Sequence, residues 1–153
     1  LGRELMRPIL GPFLSIFDRR RMAGETRDLL GRLKIELGSL QTPVRSLSGG
    51  QRQSIAIAKS VYFNAKLIIM DEPTAALGVR QTEKVLSLVR ELKQSGLAIV
   101  YISHILEDVF RVADRMIVLK NGRKIGERLT ARTNRDEIVR MMITGVDDAA
   151  EAA

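Results

Sequence analysis

Asp71 and Glu72 close a four-residue apolar run, Leu67-Ile68-Ile69-Met70, and so put two carboxylates at the end of a candidate buried strand. Open α/β sheets bind ligands at the carboxyl ends of their strands. There one carboxylate can hold Mg²⁺, usually through water, while its neighbour orients and polarises an attacking water. Pro73-Thr74 then turns the chain out of the strand. Twenty-four residues before Asp71 begins Leu47-Ser48-Gly49-Gly50-Gln51. Ser followed at the third position by Gln is a capping box, which can open any helix. Two glycines at that start also leave backbone amides uncovered, and with the Ser48 hydroxyl and the positive helix end they suit a phosphate. The one histidine, His104, follows a second apolar run, 98–102, by two residues, at the same expected sheet edge. A neutral imidazole there can hydrogen-bond a terminal phosphate and an attacking water.

The elements that must position these groups fall into two parts. The first third reads as helical: Pro8, Gly11 and Pro12 break an opening segment, and residues 19–37 carry Met22, Leu29, Leu30, Leu33 and Leu37 near helical spacing, with Gly38 as a stop. A second helix runs over 48–63, with Ile55, Ala58 and Tyr62 on one face. After Asn64 come apolar runs at 67–70, 98–102 and 116–119, expected as strands buried on both faces. Between the first two runs, 79–94 reads as an amphipathic helix whose Val85, Leu88, Val89 and Leu92 line one side, stopped by Ser95-Gly96. A shorter helix with Leu106 and Val109 precedes the third run. Strand and helix in alternation predict a parallel α/β sheet. Asn121-Gly122 signals a hairpin into 123–128, and Asn134 with Glu137 caps a last helix holding Ile138, Met141 and Met142. Residues 147–153 read as a disordered tail.

At 153 residues the chain has the length of one ordinary domain. Its 45% apolar and 28% charged content is globular. No run approaches the roughly 20 apolar residues that cross a bilayer. The absence of cysteine excludes disulfides and thiolate metal sites within it. Net charge is +7, much of it early, in Arg3, Arg7, Arg19, Arg20, Arg21, Arg27, Arg32 and Lys34. Aromatics are only 4%, so little is available to stack on bases, and a solvated basic face near anionic lipid or a partner is favoured over a nucleic-acid surface.

With these motifs in order, the chain resembles the nucleotide-binding subunits of ABC transporters, and within them the ATPase subunits of bacterial sugar importers of the ribose, xylose and fructose type. The resemblance rests on Leu1-Gly2-Arg3-Glu4-Leu5, Leu47-Ser48-Gly49-Gly50-Gln51-Arg52-Gln53, Asp71-Glu72-Pro73-Thr74-Ala75-Ala76-Leu77-Gly78-Val79, Ile102-Ser103-His104 and Met141-Met142-Ile143-Thr144-Gly145. It implies a P-loop NTPase-like α/β core: residues 1–63 as a helical subdomain with the signature motif, 64–146 as the C-terminal half of the ATP-binding core with its hairpin and last helix. It also implies ATP and Mg²⁺ as cofactors, with Asp71 serving the metal through water and Glu72 and His104 as catalytic residues. Ser48, Gly49, Gly50 and Gln51 would close over the ATP of a second nucleotide-binding domain, a homodimer partner. Implied partners are transmembrane permease subunits and, through them, a sugar-binding protein, which places the chain peripherally on the cytoplasmic side of the inner membrane. No Gly-Lys pair occurs in the sequence, so the phosphate loop G-x-x-x-x-G-K-[ST] is absent from it. The expectation is therefore the C-terminal portion of an ATPase subunit. The competing reading is a non-catalytic interaction module or inactive remnant that contributes only the signature motif in trans.

Overall fold

The computed structural model describes residues 5–10 and 14–147. The chain divides after Val100 into two units, which are taken in turn.

The first unit opens with an antiparallel pair, β1 (Met6–Leu10) and β2 (Leu14–Phe17), with Met6 opposite Phe17. This corrects the expectation of an all-helical first third. Pro8 sits inside β1, where a strand paired on one side tolerates a residue without an amide hydrogen. Asp18 then caps α1 (Arg19–Arg32) by accepting from the Arg21 amide at 3.0 Å. The helix ends before Gly38, because Lys34 takes a left-handed φ of 52° and the amides of Lys34 and Ile35 turn back to Gly31 and Leu30. The same closure, a Schellman motif, ends two later helices at Asn64 and Gly96. Leu29 and Leu30 of α1 pack with Ala58 of α2 (Gly49–Tyr62). On α2 the inward side chain is Ile57, 3% exposed, where Ile55 was expected.

Strand β3 (Leu67–Asp71) leads through α3 (Val79–Gln94) to β4 (Ala98–Ile102), its hydrogen-bonded neighbour. The Ala98 amide donates to the Lys66 carbonyl, joining the two strands at their starts, so the pair is parallel. The bounds of α3 and β4 are those the apolar pattern predicts, and Val85, Leu88, Val89 and Leu92 are all buried. The strands are not buried on both faces. On β3, Ile68 and Met70 are buried while Leu67 and Ile69 are 51% and 65% exposed, and Val100 of β4 is exposed too. An uncovered apolar face of this kind favours association. We expect the 153-residue chain to elute at sizes that grow with concentration, and Leu67→Lys with Ile69→Lys to shift it toward the monomer. A sharp monomer peak with cooperative melting of the parent would refute this.

The second unit holds α4 (Leu106–Val112), the antiparallel hairpin β5 (Arg115–Lys120) and β6 (Arg123–Leu129), and α5 (Arg135–Thr144). The hairpin turn is the one Asn121-Gly122 signals, both residues at positive φ as a type I′ turn requires. Leu106, Val109, Met116, Val118, Ile138 and Met141 form one buried cluster. Asn134 caps α5 by accepting from the Glu137 amide at 2.9 Å. The Glu137 carboxylate does not return to the cap; it binds the Thr133 hydroxyl at 2.6 Å and the Arg128 guanidinium. Arg128 also grips Asp147. Asp147 is thus held, which corrects its assignment to the tail; residues 148–153 lie outside the described residues.

These ion pairs set a pH dependence. Lys124 and then Arg115 hold the Glu127 carboxyl down at about 2, from an ordinary 4.5. The Thr133 hydroxyl and then Arg128 hold Glu137 below its usual range as well. Because both folded values are depressed, the stabilisation is complete above the unfolded carboxylate pKa and is lost as pH falls through the folded one. We expect the melting temperature to decline from about pH 5 toward pH 2, and Glu127→Gln to flatten part of that decline. An unchanged slope in the variant would remove Glu127 from the account.

Candidate functional site

Ser48 is the N-cap of α2, with both arms of the capping box present: its hydroxyl oxygen accepts from the Gln51 amide at 3.2 Å, and its own amide donates to Gln51 Oε1 at 3.0 Å. The Gly49 and Gly50 amides, at the first two helical positions, have no intrahelical acceptor. Ser48 is exposed and its hydroxyl hydrogen is not used by the cap, so an anion arriving at this end meets an O–H donor beside open amides. Buried Leu47 anchors the turn from below, and Arg52 donates to the Leu47 carbonyl at 2.6 Å.

What lies against the two glycines comes from the segment that follows the acid pair. A Cβ on Gly49 would sit 3.1 Å from Leu77 Cδ2, and one on Gly50 only 2.9 Å from both Cβ and Cγ of Gln81. Gln81 also reaches Gly78, where a Cβ would be 2.9 Å from its Oε1. The glycines are therefore needed for close packing as well as for open amides. Sequence reasoning missed Gln81, one turn inside α3; nothing in its type or spacing marks it.

Asp71 is the last residue of β3 and shares the exposed face of Leu67 and Ile69. Glu72, half-buried, has φ of 45°, in the left-handed region that side chains other than glycine rarely enter. That departure ends the strand and re-aims Glu72 relative to Asp71. Thr74, 2% exposed, and Pro73 bury the base of the turn, which closes with the Leu77 amide on the Thr74 carbonyl at 3.1 Å. Holding a non-glycine residue in this region costs about 1–3 kcal/mol and marks a constrained site. Among the described residues no group of three or more His, Asp or Glu is gathered for a metal. A lone exposed carboxylate at a strand end suits Mg²⁺, which keeps several waters and takes the rest of its shell from phosphates.

His104 lies in the second unit, exposed, two residues past β4. Ser103 shapes its turn by accepting from the Ile105 amide at 3.1 Å. The structure thus brings Ser48–Gln51 and the segment after Asp71-Glu72 into contact within the first unit, and sets His104 at a strand end in the second.

The geometry sets a capped, glycine-rich helix start against the exit loop of a strand-end acid pair. Residues 7–75 match the family described as ABC transporter, and the chain is similar to that family over this stretch. It is 44% identical over 142 residues to the xylose/arabinose import ATP-binding protein of Sulfolobus acidocaldarius, covering 93% of this chain and 54% of the relative. It is 41% identical over 143 residues to a galactose/methyl galactoside import ATP-binding protein of Photobacterium profundum, covering 94% of this chain and 28% of the relative. The chain therefore spans between about a quarter and a half of the length of these relatives. Its fold is similar to an ATP-binding cassette solved as a dimer in a post-hydrolysis state bound to ADP and Pi, with a TM-score of 0.63, 27% identity, and coverage of 75% of this chain and 50% of that one.

Proposed function

We propose that this chain supplies the signature, acid-pair and histidine portion of an ATP-hydrolysing subunit that energises sugar import. The observation that carries the reading is the packing of the Gly49-Gly50 turn on the loop leaving Asp71-Glu72. One loop path then touches both a phosphate-binding helix start and a carboxylate pair. The names of the relatives, import proteins for xylose, arabinose and galactose, support the sugar-import assignment.

In this reading a phosphate loop from outside these residues grips the triphosphate. Asp71 is the residue that would hold Mg²⁺, through water, and the ion supplies charge neutralisation on the β- and γ-phosphates when bound. Glu72 accepts a hydrogen bond from the attacking water, aligning it and drawing its proton as the water's bond to the γ-phosphorus forms and the bond from that phosphorus to the ADP oxygen breaks. His104 hydrogen-bonds the γ-phosphate. Ser48, Gly49, Gly50 and Gln51 donate to the ATP held by a second nucleotide-binding domain, so closure of the pair completes both sites. Dimeric cassettes among the solved structures support that pairing. Membrane permease subunits, and a sugar-binding protein beyond them, would receive the motion on the cytoplasmic side; no described helix is long and apolar enough to cross a membrane itself.

Calorimetric titration of MgATP into the 153-residue chain tests the division of labour. No heat at millimolar nucleotide is expected, because the grip on phosphate lies elsewhere. Saturation at micromolar ATP would overturn it and make Ser48–Gln51 of one copy facing Asp71-Glu72 of another the site to examine.

A further inference from the structure

We propose that the outward face of α1 is an electrostatic seat for the phosphate headgroups of an anionic lipid surface. The helix carries five arginines, Arg19, Arg20, Arg21, Arg27 and Arg32, against two carboxylates, Glu25 and Asp28. All five arginines are exposed. Only Arg21 is matched, to Glu25 at 3.0 Å; Arg19, Arg20, Arg27 and Arg32 have no carboxylate partner among the described residues. Cations on the neighbouring segments are used differently: Lys34 pairs with Glu91 at 2.7 Å and Lys84 with Glu36 at 3.5 Å.

The spacing gives the face its shape. Arg20, Gly24, Arg27 and Gly31 follow one another at four, three and four residues, a single stripe along the helix. A Cβ at Gly24 or Gly31 would meet nothing within 4 Å, so packing inside the chain does not require glycine at either place. Each costs about 1 kcal/mol relative to alanine within a helix. Their effect on the stripe is to lower it between the guanidinium groups, so that Arg20 and Arg27 reach a flat surface without a ridge between them. Arginine, whose planar fork takes phosphate oxygens two at a time, is the basic side chain fitted to headgroups.

A lipid surface fits better than a folded acidic partner. Protein interfaces centre on a dehydrated anchor of aromatic or apolar side chains. The exposed positions of α1 hold none; its buried residues, Leu29 and Leu30, face the unit's own core. The charges are spread along the roughly 21 Å of a 14-residue helix and do not converge on a pocket, which suits laterally mobile anions. Nucleic acid is disfavoured by the lack of any aromatic side chain on the helix to stack on bases. This inference does not depend on the ATP chemistry and stands or falls separately.

The test is co-sedimentation of the 153-residue chain with phosphatidylcholine vesicles, with or without about 30% phosphatidylglycerol, beside a vesicle-free control for self-association. Binding is expected only with the anionic lipid, weakening as salt rises. A basic residue near an anionic leaflet contributes about 1 kcal/mol, or about fivefold, so Arg20→Gln/Arg27→Gln/Arg32→Gln should lower partitioning about a hundredfold. A second triple, Arg45→Gln/Arg123→Gln/Arg132→Gln, removes the same charge from exposed positions off α1 and should bind nearly as the parent does. Circular dichroism of both triples checks that the helix persists. Equal binding to neutral vesicles, no binding at all, or equal loss in the two triples would overturn the proposal. So would displacement from vesicles by polyglutamate or duplex DNA at lower charge concentration than the lipid presents.

Discussion

An ATP-competent assembly carrying Glu72→Gln is expected to bind MgATP as the parent does and to turn it over about 10²- to 10⁴-fold more slowly. The amide keeps the size and reach of the carboxylate, and the turn at φ of 45° is no more strained with glutamine than with glutamate. What disappears is the proposed acceptor for the water's proton. Asp71 ends the strand, whereas Glu72 leaves it at a left-handed φ, so the two carboxylates stand on different backbone conformations. Single-turnover hydrolysis and equilibrium nucleotide binding separate the two quantities. Turnover within a few-fold of the parent would remove Glu72 from the role of base and leave His104 to be tested next.

The second large effect is expected from Gly50→Ala. A methyl group there lands 2.9 Å from Cβ and Cγ of Gln81; Gly50 is buried, and although Gln81 is exposed, its Cβ is fixed to the backbone of α3 and cannot swing away. Overpacking of this kind costs about 1–3 kcal/mol. Gln81→Gly alone removes both opposing carbons and costs about 0.5–1 kcal/mol as a glycine inside α3. The double variant should be less destabilised than the sum, with a coupling above about 0.5 kcal/mol in denaturant midpoints. Additive costs would mean that the two residues do not share a contact in solution. If the chain works in an ATP-hydrolysing subunit as proposed, the same substitution is expected to lower turnover along with stability, because it crowds the Gly49-Gly50 turn against Gln81.

The α/β fold and the elements that carry the candidate site residues could both be read in the sequence. Motif spacing identified Ser48–Gln51 and Asp71-Glu72, and the structure places the first on a capped helix and ends a strand on Asp71. The bounds of α3 and β4 and the Asn121-Gly122 turn could also be read, because each rests on a local rule: a 3.6-residue stripe, an apolar run between stops, a dipeptide that accepts positive φ. The β1–β2 pair could not. Pro8, Gly11 and Pro12 are breakers in any local reading, and only pairing makes Pro8 acceptable in a strand. One-sided burial of β3 was equally hidden, since Leu67-Ile68-Ile69-Met70 is apolar at every position and carries no alternation to show which face is covered. Gln81 and Asp147 were missed for a related reason. Each matters through a contact, with Gly50 and with Arg128, that no periodicity encodes.

Glu72 sits where the backbone would prefer glycine or asparagine, and this bears on how the protein can be improved in the laboratory. Selection for thermal robustness alone will find Glu72→Gly early, because a residue freed of a Cβ relaxes the left-handed turn. Such a variant is expected to melt higher and would lack the proposed base. Any stabilisation campaign on this fold needs a turnover screen running beside it, since its easiest gain in durability lies at the residue proposed to align the water.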